Sequence, residues 1–136
     1  MSRSYTDQFA EAWAAPTPER LVALLHDDVV LYQPHAAPVR GKRAALREFR
    51  RLFAFAPGLH GKVIRSSQAG DTVFIEWIMR LPAGDAVIEI PAVDRFRVEG
   101  GLGVERVVYF DQLAMAAAVL RHPRLWTGFA RYRLGR

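Results

Sequence analysis

Two neighbouring stretches of this chain alternate in polarity with a period of two. In TVFIEWIMRL (72–81), Val73, Ile75, Trp77 and Met79 fall on one side, while Phe74, Glu76, Ile78 and Arg80 fall on the other. In DAVIEIPAVDRFRV (85–98), Ala86, Ile88, Ile90, Ala92, Asp94, Phe96 and Val98 share one side, opposite Val87, Glu89, Pro91, Val93, Arg95 and Arg97. A strand turns successive side chains to opposite faces, so this period means strands rather than helices. Pro82-Ala83-Gly84-Asp85 has the chemistry of a hairpin turn. Pro91, which donates no hydrogen bond, marks a bulge or an edge in the second strand.

One residue breaks the pattern. Asp94 stands on the apolar side of 85–98, flanked by Ala92 and Phe96. An unpaired buried carboxylate is costly, so it must either pair with a cation or keep its proton. In the second case it is a hydrogen-bond donor or general acid facing a cleft. In the first it is a core residue, tied to an arginine or to backbone. The residues alone leave both readings open.

The chain around this hairpin divides by its breakers. Residues 4–14 read as a helix with Phe9 and Trp13 four apart on one face. Thr17, Pro18 and Glu19 start a second helix, 18–26. VVLYQ (29–33) is a short strand ended by Pro34, and 34–41 is a loop. KRAALREFRRLFAF (42–55) is amphipathic, with Leu46, Phe49 and Phe53 as its apolar stripe and its arginines on solvated faces. HGKVIRSSQAG leads into the turn at Gly70-Asp71, EGGLG (99–103) is another turn, and VERVVYF (104–110) is the last strand. Asp111 caps a final helix near 112–121, and Pro123 stops it. Helices first and an antiparallel meander after them make an α+β fold: a cone-shaped curved antiparallel sheet with the N-terminal helices on its concave face and a pocket at one end.

Length and composition narrow the function. The 136 residues, 51% of them hydrophobic, suit one domain over 1–136, with a C-terminal aromatic and basic tail at 122–136. Trp126, Phe129 and Tyr132 recur every third residue in that tail, which predicts packing over the pocket mouth or against a second subunit. Without cysteine there are no disulfides, thiolate metal sites or cysteine nucleophiles. His26, His35, His60 and His122 lack metal-ligand spacing, so neither metal nor other cofactor is expected. No nucleophile elbow or phosphate-binding glycine loop occurs. The net charge of +5 comes with no nucleic-acid reading motif, so no nucleic-acid partner is expected. No apolar run of about 18 residues implies a membrane span. The N-terminus lacks the apolar run of a signal peptide, and a cytoplasmic location is expected. The second face of the long strands, with Phe74, Ile78, Val87 and Val93, is too apolar for full solvation and predicts a homodimer.

LVALLHDDVVLYQP (21–34), VRGKRAALREFRRLF (39–53), PAVDRFRVEGG (91–101) and VVYFDQL (107–113) resemble the ketosteroid-isomerase and SnoaL-like branch of the nuclear-transport-factor-2-like superfamily. The resemblance covers about residues 5–121. It implies a pocket for an apolar small molecule, lined by Phe9, Trp13, Tyr32, Phe53, Trp77, Met79, Ile90, Phe96 and Phe110, with Asp94 as its catalytic polar group. Tyr32, Gln33 or His35 would orient the substrate; His35 alternatively is a plain loop histidine. Asp94 falls where ketosteroid isomerases hold an oxyanion-hole aspartic acid, and where SnoaL cyclases hold a pocket histidine. The isomerases' general base would fall at Gln33 and their tyrosine at Phe9, neither of which carries the required group. Epoxide hydrolases of this fold would need an arginine and a carboxylate at Trp77 and Met79; only Tyr32 matches their water-orienting tyrosine. Their second carboxylate, like the acid/base aspartate of the cyclases, would fall at Val108 or Tyr109. The resemblance implies cofactor-free acid/base isomerisation, cyclisation or dehydration of a hydrophobic, carbonyl-bearing, polyketide- or steroid-like metabolite. The alternative is a non-catalytic ligand-binding or dimerisation module on the same fold.

Overall fold

The computed structural model describes residues 4–34 and 36–134. Six strands form one sheet: β1 (Leu25–Gln33), β2 (Ala36–Arg40), β3 (His60–Ala69), β4 (Thr72–Ala83), β5 (Ala86–Glu99) and β6 (Leu102–Phe110), in the order β2-β1-β6-β5-β4-β3. The helices are α1 (Tyr5–Ala14), α2 (Pro18–Val22), α3 (Lys42–Phe55), α4 (Gln112–Leu120) and α5 (Trp126–Leu134), with a single 3-10 turn at Pro123–Leu125. No helix among the described residues is long and apolar enough to cross a membrane.

The α+β class holds, and the sheet is curved and unclosed. Its pairing is mixed rather than antiparallel throughout, because β1 runs parallel to β6. A parallel neighbour needs no tight turn and leaves no local signature in the sequence; α3 and the whole meander separate this pair. Three further elements differ from the sequence expectation. The second helix ends at Val22, and β1 begins at Leu25. Residues 36–40 are an edge strand rather than a loop, with Val30 facing Arg40 and Leu31 facing Val39. The tail forms α5.

Local chemistry explains the helix starts. Ser4 accepts from the Asp7 N–H at 3.0 Å, Thr17 from the Arg20 N–H at 3.1 Å, and Asp111 from the Ala114 N–H at 3.0 Å. Each satisfies one of the donors that a helix leaves open at its N-terminus. Irregularities in the ladders at 63–65 and 97–98 bend the sheet. Pro91 produces no such shift. It stands one residue outside the β5–β6 ladder, which begins at Ala92, where a missing N–H is tolerated.

The sheet's inner face is packed with aromatic rings. Phe9 meets Trp77 edge-on at 5.2 Å and Phe96 at 5.8 Å, and Trp13 lies 4.7 Å from Trp77. Tyr5 covers Phe96 at 4.9 Å, and its hydroxyl donates to the Leu24 carbonyl at 2.9 Å. Such tilted and edge-on pairs contribute roughly 0.5–1.5 kcal/mol each beyond their buried area. Gly61 of β3 lets the Trp77 indole lie against the backbone, since a Cβ at position 61 would come within 2.5 Å of the ring.

A polar cavity wall behind an aromatic core

Asp94 is fully buried, with 0% of its surface exposed. Its alternation on β5 places it there, between Ala92 and Phe96, which are also buried. Both carboxylate oxygens accept hydrogens: Oδ1 from Trp77 Nε1 at 2.9 Å, and Oδ2 from Arg106 Nε at 2.5 Å. Of the two readings open at the sequence level, the geometry is that of a paired carboxylate. Asp94 is an acceptor on both sides and is not among the residues that line the cavity beside Arg106.

Arg106 carries that pairing outward. It sits on the inner face of β6, one step along the ladder from Asp94, with Phe96 opposite it. Its Cζ lies 5.9 Å from the Phe96 ring, and only 7% of the residue is exposed. With Nε held by Asp94, the four N–H groups of the two terminal nitrogens remain for other partners. Arg106 lines a small, partly open cavity of about 60 Å³ between the sheet and α3. That is room for a few water molecules. Met79, Leu81, Ile90, Val108 and Phe110 form its sheet wall, and Phe49, Leu52 and Phe55 its α3 wall. Gln33, Glu48, Arg106 and Tyr132 are its hydrogen-bonding groups.

Glu48 and Tyr132 close the cavity on the side away from the core. Glu48 is buried on the inward face of α3 beside Ala45 and Phe49. Its Oε1 accepts from the Tyr132 hydroxyl at 2.7 Å, and its Oε2 from Arg51 Nη1 at 2.8 Å. Arg51 also donates to the Tyr132 carbonyl through Nη2, and its guanidinium lies 5.3 Å from the Tyr132 ring centre. The same ring stacks on Phe55 at 5.7 Å, and Phe129 meets Phe55 at 5.6 Å. Two of the three periodic tail aromatics therefore pack against α3. Trp126 stays half-exposed, with Nε1 donating to the Val119 carbonyl at 2.9 Å. Burial first, then the charge and hydrogen bond of Glu48, hold the Tyr132 phenol above the ordinary value of 10.0. The Tyr5 phenol is raised too, by burial, with the Arg106 charge pulling the other way.

The structure brings together only part of the set expected from sequence. Gln33, Met79 and Phe110 line the cavity, as does Ile90. Phe9, Trp13, Trp77 and Phe96 form solid core instead, with Phe53 against Trp13 at 6.2 Å. These rings pack against one another on the inner face of the sheet, and none of them lines the cavity. Tyr32 falls on the opposite phase of β1 from Gln33 and does not reach the cavity. His35 lies outside the described residues. Tyr132 is one of the tail aromatics expected to pack over the pocket mouth or against a second subunit; Arg106 and Glu48 are outside the expected set, although each had a signal. Arg106 alternates with Val104, Val108 and Phe110, and Glu48 shares a helical face with Ala45, Phe49 and Leu52. Among the described residues, no group of histidines and carboxylates could hold a metal ion.

The SnoaL-like domain family matches residues 6–106. The chain belongs to that family. No curated protein matches it. Among solved structures, a hypothetical protein of Catenulispora acidiphila with a ketosteroid-isomerase-like fold, bound to trimethylamine, is similar with a TM-score of 0.75 at 19% identity, over 86% of this chain and 92% of that one. An LEH-like epoxide hydrolase of M. tuberculosis is similar at 0.72 and 24% identity, over 90% and 92%. IdmH of Streptomyces antibioticus, a suggested polyketide cyclase, is similar at 0.71 and 22% identity, over 86% and 99%. Identities this low establish the shared fold; chemistry has to come from the site itself.

Two measurements check this geometry. Replacing Arg106 by Met strands the buried carboxylate and should cost about 3–5 kcal/mol in urea unfolding. The double variant Asp94→Leu, Arg106→Met should lose only about 1–3 kcal/mol, chiefly from the orphaned Trp77 N–H. Alkaline pH gives the second. Tyr5 and Tyr132 have raised phenol values in the fold, so their stabilisation is complete below the ordinary value of 10.0 and lost as pH rises above it. Urea midpoints should fall progressively above that pH, with phenolate absorbance from these two residues appearing together with unfolding.

Proposed function

We propose that this SnoaL-like domain binds an apolar, carbonyl-bearing small molecule and acts on it by acid/base chemistry without a cofactor. The observation that carries this reading is Arg106: a nearly buried guanidinium, held through Nε by Asp94, in the wall of a mainly apolar cavity. A carbonyl oxygen that gains negative charge in the reaction would meet fixed N–H donors there, at low local dielectric and with little reorganisation. Asp94 would then serve as a positioning residue, acting through Arg106 rather than on the substrate. Gln33, at the cavity edge, would orient the ligand, and Met79 and Phe110 would supply apolar contact. The family match and the likeness to IdmH support the class of substrate, a hydrophobic ketone of polyketide or steroid type.

A non-catalytic ligand-binding module is the second reading, favoured by one observation: with Tyr132 in its wall the cavity holds only about 60 Å³. A homodimer is part of the proposal in either case. Phe74 and Val87 stand exposed on the outer sheet face, among the ion pairs Arg65–Glu76 and Arg80–Glu89. Apolar patches of this kind on a sheet face favour a second copy as cover. Sedimentation should show a dimer at micromolar concentration, and a monomer alone would remove this part of the proposal.

The ligand reading is tested with 1-tetralone against tetralin, the same carbon skeleton without the carbonyl. Wild-type protein should be stabilised against heat by the ketone more than by the hydrocarbon. The Asp94→Leu, Arg106→Met variant should lose that preference. Equal stabilisation by both compounds would overturn the role of Arg106. Exchange of deuterium from D2O into the carbon next to the carbonyl would mark catalysis; binding without exchange would favour the second reading.

A further inference from the structure

Glu48 is a buried carboxylate in the cavity wall, on α3, and the reading above leaves it unused. It faces the same small volume as Arg106, from the opposite wall. A base and a fixed cation across an apolar cavity are the two groups that enolisation needs: one to take a proton from carbon, the other to hold the charge that develops on oxygen. By the resemblance drawn from the sequence, the basic carboxylates of this fold would fall at Gln33 and at Val108 or Tyr109, none of which is acidic. A carboxylate presented from α3 would supply the function from another element.

Tyr132 stands over that carboxylate. Its hydroxyl donates to Glu48 Oε1 at 2.7 Å, and the residue lines both the small cavity and three surface grooves, of about 900, 310 and 330 Å³. Tyr132 is the one residue common to the walls of all four, while Phe55, Phe110, Met115 and Glu48 each stand between the space of about 60 Å³ and a single groove. The helix that carries it lies beyond the part of the chain matched by the SnoaL-like family, which ends at Arg106. Withdrawing Tyr132 would join the volumes and free one oxygen of Glu48 at the same time. Arg51, bonded to Oε2, would keep the carboxylate in place.

We propose that Glu48 is the catalytic base of this site, and that Tyr132 of the C-terminal helix is its gate. The substrate class is a flat, apolar carbon acid, one whose acidic C–H is adjacent to a carbonyl or an equivalent electron-withdrawing group. Such a molecule enters by displacing the Tyr132 hydroxyl from Glu48. Glu48 then takes the proton from carbon. The C–H electron pair forms the new carbon–carbon double bond, and the carbonyl π electrons move to the oxygen facing Arg106. In a substrate with a carbon–carbon double bond β,γ to the carbonyl the intermediate is a dienolate, and return of the proton from Glu48 to its γ carbon moves the double bond into conjugation and re-forms the carbonyl, an isomerisation with no other reactant consumed. This proposal rests on the carbonyl-binding reading, since it uses Arg106 as the oxygen anchor.

The probe is 5-nitrobenzisoxazole, a flat apolar carbon acid. A base removes its ring C–H proton, the electron pair forms the nitrile, and the N–O bond breaks to leave a coloured phenolate. Wild-type protein should accelerate this reaction, and Glu48→Gln should lower the rate by about 100-fold or more, the usual weight of a positioned base. Glu48→Asp, which keeps a carboxylate, should restore part of the rate. Tyr132→Phe removes the hydroxyl that caps Glu48 while keeping the stacked ring, and should raise kcat/KM several-fold, mainly through a lower KM. Unchanged rates in Glu48→Gln with wild-type melting behaviour would overturn the base. Unchanged or lower kcat/KM in Tyr132→Phe would overturn the gate. No acceleration by wild type and Tyr132→Ala alike would overturn both. The 1-tetralone preference is measured on the same variants. If it persists while Glu48→Gln has no effect, the base assignment fails and carbonyl binding stands. If it is absent from wild type, the carbonyl reading itself fails.

Discussion

A carboxylate with no access to water has to find hydrogens, and in this protein the requirement at Asp94 organises both sides of the sheet's interior. Trp77 answers from β4 and Arg106 from β6, so one aspartate ties together the three long neighbouring strands. On the Trp77 side the indole is clamped among Phe9 and Trp13 of α1, against the bare backbone of Gly61. On the Arg106 side a cation that would otherwise seek solvent is held almost dry. Removing any of the three would leave a buried polar group unsatisfied, a larger penalty than the gain from one hydrogen bond.

This arrangement separates stability from function along the length of the cone. At the aromatic end Phe9 meets Trp13, Trp77 and Phe96, and Trp13 meets Trp77, as one buried cluster. The other end is where polar side chains from four different elements converge on a small apolar space: Gln33 from β1, Glu48 from α3, Arg106 from β6 and Tyr132 from α5. Arg106 is the hinge between the two, because it belongs to the core through Nε and to the cavity through the rest of its guanidinium. The aromatic stack thereby acts at a distance on the site, by fixing the aspartate that fixes the arginine.

Charge balance follows the same division. Within the cavity region two carboxylates, Asp94 and Glu48, are matched by two guanidiniums, Arg106 and Arg51. Each carboxylate also takes one neutral donor, an indole N–H in one case and a phenol in the other. The excess positive charge of the chain lies elsewhere, on exposed faces such as Arg43, Arg47 and Arg50 of α3. Exposed ion pairs there, for example Arg50 with Glu19 at 3.5 Å, add little to stability in water.

The amino-acid sequence by itself determined which faces are buried. Period two in β4 and β5 put Trp77 and Asp94 inside, period 3.6 in α3 put Phe49 inside, and Thr17 and Asp111 marked where helices begin. These are local properties, set by backbone geometry over a few residues, and they need no knowledge of distant neighbours. The same periodicity also placed Arg106 and Glu48 inside, but a lone charge on an apolar face has no meaning until its partner is known. Tertiary structure alone decided that Asp94 meets Arg106 and Glu48 meets Tyr132, because those contacts join residues 12 and 84 positions apart across ladders and helices. It decided likewise that β1 lies parallel to β6 and that four expected cavity aromatics are solid core. Periodicity tells a side chain which way to face; only the packing of the whole chain tells it what it will find there.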